Sequence, residues 1–189
     1  MDYFKLIEET RSIRRFKEAP ISRETLEKLV DCARLSPSGA NGQPLKFGLY
    51  NSPDECSRIF PVIKWAGALP DWDGPEEGQR PSAYIVIALD KEISKAPGID
   101  HGIAAQSMML GARALGLGCC MIGAYDKGAL LENITLPENL SPLLLLALGE
   151  PGEEIGIEDM KEGDSTTYFR DEQDNHHVPK RTVKELIWK

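Results

Sequence analysis

Arg11, Ser12 and Arg14 place two guanidinium groups and a hydroxyl within a single turn's length of chain, and a guanidinium fork matches phosphate oxygens bidentately. A second basic pair, Lys180-Arg181, stands near the other end of the sequence, just before a last apolar segment. Hydrogen bonds to charged groups contribute about 1.5 to 3 kcal/mol each. Three or four of them could supply much of the roughly 8 kcal/mol of micromolar binding, if the fold brings the two ends together. Taken alone, each basic pair also reads as ordinary solvated surface. Other chemistries are served less well. No G-x-S-x-G surrounds any serine, as a nucleophile elbow would require. The histidines are His101, His176 and His177 alone, too few for a metal centre at workable spacing. The adjacent pair His176-His177 reads as surface polar, because neighbours in extended chain point to opposite sides. Gly116-Leu117-Gly118 runs into Cys119-Cys120-Met121 and so makes no dinucleotide turn; it reads as a helix stop entering a strand. A phosphate site assembled from separated parts is what remains.

The elements that would position these parts are legible in the periodicity. Asp2 to Thr10 predicts a first helix with Asp2 as N-cap and Phe4 and Ile7 on one face. After the basic turn, Ser22 caps a second helix with Leu26, Leu29, Val30 and Ala33 on one stripe, and Ile21 and Leu26 stand at hydrophobic-staple spacing. The stretch from Ser36 to Pro44 is composed almost entirely of turn formers and small polar residues. Phe47 to Tyr50 predicts a strand, and Ser52-Pro53-Asp54-Glu55 opens a third helix in capping-box order. From Gly67 to Pro81, turn residues alternate with Trp72, which suits a lid or a partner contact as well as a plain connector. Ala83 to Leu89 reads as a buried strand and Gly102 to Leu115 as a helix buried on most sides, capped by Asp100 and ended by Gly116. Cys119 to Ile122 and Leu143 to Leu148 are further strands, with a helix opened by Asp126 between them. After Gly149 the composition turns polar until Val183 to Ile187, a tail that needs something to pack against, such as a partner subunit.

Bulk properties bound the class. A chain of 189 residues with 41% hydrophobic content can bury one good core, predicting a single domain over 1–189 of mixed α and β structure. A net charge of -8 argues against a nucleic-acid partner, since phosphate backbones are bound by clustered Lys and Arg. No basic start is followed by an apolar stretch, and Leu143 to Leu148, the longest aliphatic run, is too short to span a bilayer. A cytoplasmic protein without membrane contact is expected. Cys32, Cys56, Cys119 and Cys120 contain no C-x-x-C pair and read as free, buried thiols.

In their order and spacing, the pieces resemble the nitroreductase family: R-S-I-R-R-F at 11–16, S-P-S-G-A-N-G-Q-P at 36–44, the helix D-H-G-I-A-A-Q-S-M-M-L-G-A-R-A-L-G-L-G at 100–118 with the strand C-C-M-I-G-A-Y after it, and V-P-K-R at 178–181. The resemblance implies an α+β fold with a central, mostly antiparallel sheet flanked by helices, in an intertwined homodimer holding two FMN molecules at the subunit interface. On that reading 150–189 is an arm packed on the partner and 67–81 a lid. By position, Arg11, Ser12 and Arg14 hold the phosphate and the pyrimidine edge, joined by Lys180 or Arg181. Pro37, Ser38, Gly39 and Asn41 resemble the loop that the opposite subunit lays against the isoalloxazine. Gly123 and Ala124 resemble the backbone beside the reactive flavin nitrogen, where a small residue permits close approach. The implied activity is ping-pong hydride transfer from NADH or NADPH through the flavin to a small acceptor such as a nitroaromatic or quinone. Neither a metal nor an obligatory catalytic acid or base is implied. Arg14 is the cation placed to raise the flavin potential. A flavin storage or sensor protein, or another reduction such as dehalogenation, are the alternatives. Two residues depart from the family pattern, Thr10 where an arginine is common and Leu45 where a tryptophan is. Lys46, Trp72 and Tyr125 could line an acceptor pocket or serve in core and surface.

Overall fold

The computed structural model describes residues 2–69 and 71–189. Its elements are α1 (Tyr3–Glu9), β1 (Phe16–Lys17), α2 (Arg23–Arg34), β2 (Leu45–Tyr50), α3 (Pro53–Ile59), β3 (Ala83–Asp90), α4 (Asp100–Ala114), β4 (Gly118–Ile122), α5 (Lys127–Asn133), β5 (Leu140–Pro151), β6 (Ile155–Asp159), β7 (Phe169–Arg170), β8 (His176–Lys180) and α6 (Val183–Leu186).

All residues of β3 are buried, which a strand achieves only when both of its faces are covered. Ile85 and Ile87 point to one side, where α2 and α4 bring Leu26, Leu29 and Met108. Tyr84 and Val86 point to the other, into a cluster with Ile59, Trp65 and Leu130. β5 alternates in the same way, Leu146 and Leu148 toward the first cluster and Leu145 and Ala147 toward the second. The main sheet is antiparallel at every named pairing. β5 takes β3 on one edge and β4 on the other, β2 continues beyond β3, and β1 joins the last two residues of β5. This is the expected α+β architecture with helices flanking an antiparallel sheet.

Local signals account for most of the element boundaries. Asp2, Ser22, Ser52 and Asp126 each accept a backbone N–H as N-caps, and Ser52 with Glu55 forms a capping box. Gly116, at φ 78°, ends α4. The Leu117 N–H bonds to Ala112 O and the Gly116 N–H to Arg113 O, the two closing bonds of a Schellman motif. Asp100 departs from expectation. It is the first residue of α4 and makes no cap bond; Ile99 holds the cap position.

The polar stretch after β5 gave no periodic signal in the sequence, yet it folds into a second sheet, β6–β8–β7, with β6 and β8 parallel and β7 antiparallel to β8. His176 and His177 point to opposite sides, but only one meets the surface expectation. His176 is 1% exposed and packs against Tyr168, ring centroids 5.5 Å apart. His177 stays near the surface between Glu158 and Asp171, whose carboxylates hold its pKa above the ordinary value. In the 67–81 loop, Pro70 lies outside the described residues. Trp72 packs edge-on to Trp65 at 6.5 Å, and the guanidinium groups of Arg15 and Arg170 sit 5.9 and 5.8 Å from its ring. Beyond β8 the chain buries nothing in α6, and Trp188 is 93% exposed. No helix among the described residues is long and apolar enough to cross a membrane.

Leu29 lies fully buried between α2 and α4, beside Gly111. Leu29→Ala is expected to cost about 2 to 5 kcal/mol, read as a lower urea midpoint at unchanged slope.

Candidate functional site

The turn between α1 and β1 has no ladder of its own, so its backbone must be held from outside. Ser12 bridges to Cys119 of β4, and the Ile13 N–H donates to Cys119 O at 3.1 Å. Gly152 lets the chain pass close to Phe16: a Cβ there would stand 2.9 Å from the Phe16 carbonyl carbon. Glu153, with its side chain 5% exposed, completes the hold. Its Oε1 accepts the N–H groups of Arg14 at 2.5 Å and Arg15 at 3.0 Å, and its Oε2 accepts from the Arg170 guanidinium. His176 Nδ1 stands 3.6 Å from Oε2, beyond hydrogen-bond length but near enough to favour the charged carboxylate. Burial pushes the Glu153 carboxyl up; His176, the Arg14 N–H and Arg170 together outweigh it and bring it to about 2.

Held this way, the turn lines a cleft of about 380 Å³ with Thr10, Arg11, Ser12 and Arg14 on one side, Gln106, Met109 and Met121 on another, and Ile155, Tyr168, Val178 and Lys180 from the C-terminal segment. A smaller cleft of about 170 Å³ shares Arg14, Met121 and Tyr168 with it and reaches Gly123 and Ala124. Its outer wall, Lys64 to Gly67, is fixed by the Lys64 N–H donating to Ala124 O at 2.9 Å and by pairing of Ile63 with Tyr125. Tyr168 stands where the two clefts meet. The Arg14 guanidinium lies 4.8 Å from its ring centroid, and its hydroxyl accepts the Ala68 N–H at 3.2 Å.

The charges on this surface are unevenly engaged. Arg15 pairs with Asp174, Arg170 with Glu153 and Asp174, and Arg113 with Glu9. Among the described residues Arg11 and Arg14 pair with no carboxylate. Arg11 donates from Nη2 to Ile7 O at 2.9 Å while its buried Nε has no partner, and burial lowers its pKa. Arg14 donates from Nη1 to Ser12 O at 3.2 Å. Two half-buried guanidinium groups, one with an orphaned donor, thus line a cleft large enough for a small ligand.

Six of the expected residues therefore line the two clefts of one chain: Arg11, Ser12 and Arg14 with Lys180 in the first, and Arg14 with Gly123 and Ala124 in the second. Of the alternatives Lys180 and Arg181, Lys180 lines the cleft and Arg181 is exposed outside it. Thr10 lines the cleft too, but its hydroxyl is engaged by Leu6 O at 2.6 Å. Pro37 and Ser38 line a different cleft with Leu45 and Asp100 that has no residue in common with the first two. Gly39 and Asn41 belong to the same short 3₁₀ turn. Lys46, Trp72 and Tyr125 line neither of the two joined clefts: Lys46 is exposed on β2, Trp72 packs on Trp65, and Tyr125 packs against the core. Sequence reasoning missed Glu153, Tyr168 and Gln106. The first two lie in a stretch without period, and only the folded turn shows their use.

Known proteins share the sequence pattern and the fold. The family model described as "Nitroreductase family" matches residues 7–150. A curated protein of Archaeoglobus fulgidus, provisionally named an NADH dehydrogenase/NAD(P)H nitroreductase, is 31% identical over 158 residues, covering 79% of this chain and 86% of its own. The structure of a nitroreductase family protein from Clostridium novyi NT superposes with a TM-score of 0.67 at 29% identity, covering 80% of this chain and 86% of the other. An FMN-dependent nitroreductase from Clostridium difficile R20291 shares the fold with a TM-score of 0.66 at 24% identity, covering 80% and 88%.

The loop at 36–44 yields its own prediction. Ala40, Asn41 and Gln43 all hold positive φ, at 48°, 56° and 47°, a conformation that costs a residue other than glycine about 1 to 3 kcal/mol. Asp100 tethers the loop by accepting the Ser38 hydroxyl at 2.5 Å and the Gly39 N–H at 3.0 Å. Asp100→Asn is expected to ease local opening by about 1.5 to 3 kcal/mol, the worth of hydrogen bonds to a charged group, seen as faster amide exchange at Gly39. Acid acts in the same direction. The bonds from Ser38 and Gly39 hold the Asp100 carboxyl below its ordinary value of 3.8. The tether is therefore complete above that value and is lost as pH falls through the lower folded one.

Proposed function

The chain belongs to the nitroreductase family, and on that premise we propose that it is an FMN-dependent oxidoreductase taking electrons from NADH or NADPH. The observation that carries this reading is the pair of carboxylate-free guanidinium groups, Arg11 and Arg14, on a cleft that continues to Gly123 and Ala124. Relatives include an FMN-dependent nitroreductase and an NAD(P)H nitroreductase, and the orphaned Arg11 Nε gives this chain's own residues a reason to hold a phosphate.

When bound, FMN supplies hydride transfer between a nicotinamide and an oxidised acceptor. The chain's residues bind, orient and tune. Arg11, Ser12 and Lys180 would hold the phosphate, and Arg14, between the two clefts, would face the pyrimidine edge, where a cation stabilises the negative charge that accompanies reduction. Gly123 and Ala124 carry little or no side chain, so their backbone can approach the ring system closely. The proposed reaction asks for no obligatory side-chain acid or base, because the cofactor carries the chemistry. The proposed acceptor is a small oxidised molecule such as a nitroaromatic or quinone, received in the space around Lys64 to Gly67.

The same reading takes the protein as a cytoplasmic homodimer. Phe4 is 79% exposed and Trp188 93%, apolar surface of a kind that a partner covers. A groove of about 970 Å³ between Phe4, Lys5 and Glu8 on one side and Ile155 and Ile157 on the other adjoins Arg11. A partner would bring its own Pro37 to Asn41 loop to the flavin, which explains why that loop lines a separate cleft in one copy. Free thiols at all four cysteines suit a reducing compartment.

The purified protein is expected to show flavin absorption after addition of FMN, and to bleach anaerobically with NADH or NADPH. Failure to take up FMN would overturn the reading. Arg14→Ala should weaken FMN binding about tenfold to a hundredfold, the loss of one charge-assisted contact, measured by flavin fluorescence titration. Light scattering should give twice the chain mass; a stable monomer that retained flavin would remove the shared site.

A further inference from the structure

Arg14 can act on a flavin only if the turn that carries it is fixed, and the structure shows one side chain fixing it. We infer that Glu153 is a positioning residue for the cofactor site: its buried carboxylate seats the backbone of Arg14 and so sets where the Arg14 guanidinium lies. The inference rests on the flavin reading above.

The chemistry separates two parts of one arginine. Glu153 Oε1 receives the backbone N–H groups of Arg14 and Arg15, whereas the Arg14 guanidinium goes elsewhere, to Ser12 O and the face of Tyr168. Glu153 therefore holds Arg14 in place without neutralising it. Its own charge is met by Arg170 at Oε2, on the side away from the turn's N–H groups, with His176 behind. A carboxylate that paired with the Arg14 guanidinium directly would cancel the positive charge the cleft presents. One that was absent would leave two backbone donors of an irregular turn without partners. The groups packed around Glu153 are Arg14, Arg15, Arg170 and His176, and the same C-terminal segment supplies Tyr168, which walls Arg14 from above. Glu153, Tyr168, Arg170 and His176 all stand beyond the residues that the family model matches.

Removing the charge tests the idea because its two consequences for a bound flavin have opposite sign. Through space, loss of a nearby negative charge would raise the flavin midpoint potential. Loss of Arg14's seat would withdraw a cation from the flavin and lower it. The experiment measures FMN affinity and midpoint potential in the holoprotein for the wild type, Glu153→Gln, Arg14→Ala and the double variant. Glu153→Gln is expected to lower the potential toward that of Arg14→Ala and to weaken FMN binding about tenfold. In the Arg14→Ala background it should no longer lower the potential, leaving only the through-space rise, and should weaken FMN binding less than in the wild type, since coupled residues are not additive. Should Glu153→Gln not fold, Glu153→Asp keeps the charge but shortens the reach to the two N–H groups, and the same non-additivity is expected. A raised or unchanged potential, or equal effects in both backgrounds, overturns the positioning role while leaving the flavin reading intact. A wild-type chain that takes up no FMN overturns both.

Discussion

Covering a sheet on both faces leaves no room for chemistry at its centre. β3 and the middle of β5 have side chains buried on either side by α2 and α4 or by α3 and α5, and an unpaired polar group there would cost about 1 to 3 kcal/mol or more. Most polar residues that line the clefts are therefore displaced to the rims: the turn before β1, the segment after β4, the loop before β2, and the small second sheet. Such a site is assembled from pieces far apart in sequence. Its precision depends on whatever ties the pieces to the rigid sheet.

Those ties are what the sequence hid. The main sheet and its helices were legible because their residues repeat at the strand or helix period and are bracketed by Asp2, Ser22, Ser52, Gly116 and Asp126, each acting locally. The basic turn at 11–14 was legible as a cluster of one chemistry. Glu153 was not, because the Arg14 N–H that it accepts stands 139 residues away in the chain and nothing about an isolated glutamate in a polar stretch marks it as buried. The same holds for His176, whose neighbour His177 is the surface residue the pair suggested. Asp100 read as a helix cap because acids before helices usually are; here its oxygens face the 36–44 loop instead. Period and capping report on contacts within a few residues, whereas long-range polar contacts leave no such pattern.

Electrostatics gives the cleft a direction that net charge conceals. The chain carries an overall -8, yet two acids beside the basic turn are already engaged, Glu153 by Arg170 and Asp174 by Arg15 and Arg170. Arg11 and Arg14 are left over, half-buried and without carboxylates. On the function proposed above, a small anion would meet these two cations inside a protein that is acidic as a whole.

The 36–44 loop raises a different question, since a fold has no reason to keep three non-glycine residues in the left-handed region on a surface of no consequence. Strain of this kind persists where surrounding contacts over-determine it. Asp100 and the Ser38 hydroxyl, which also accepts the Gln43 N–H at 2.9 Å, supply those contacts. In one copy of the chain the loop faces Leu45, Phe47 and Ala104 rather than Arg14, so a conformation fixed at this cost serves nothing in its own clefts. It is intelligible as a surface prepared for another molecule. On the function proposed above, that molecule would be the partner subunit's flavin, held by the partner's basic turn, and the strained loop and the tethered arginine would be two halves of one site.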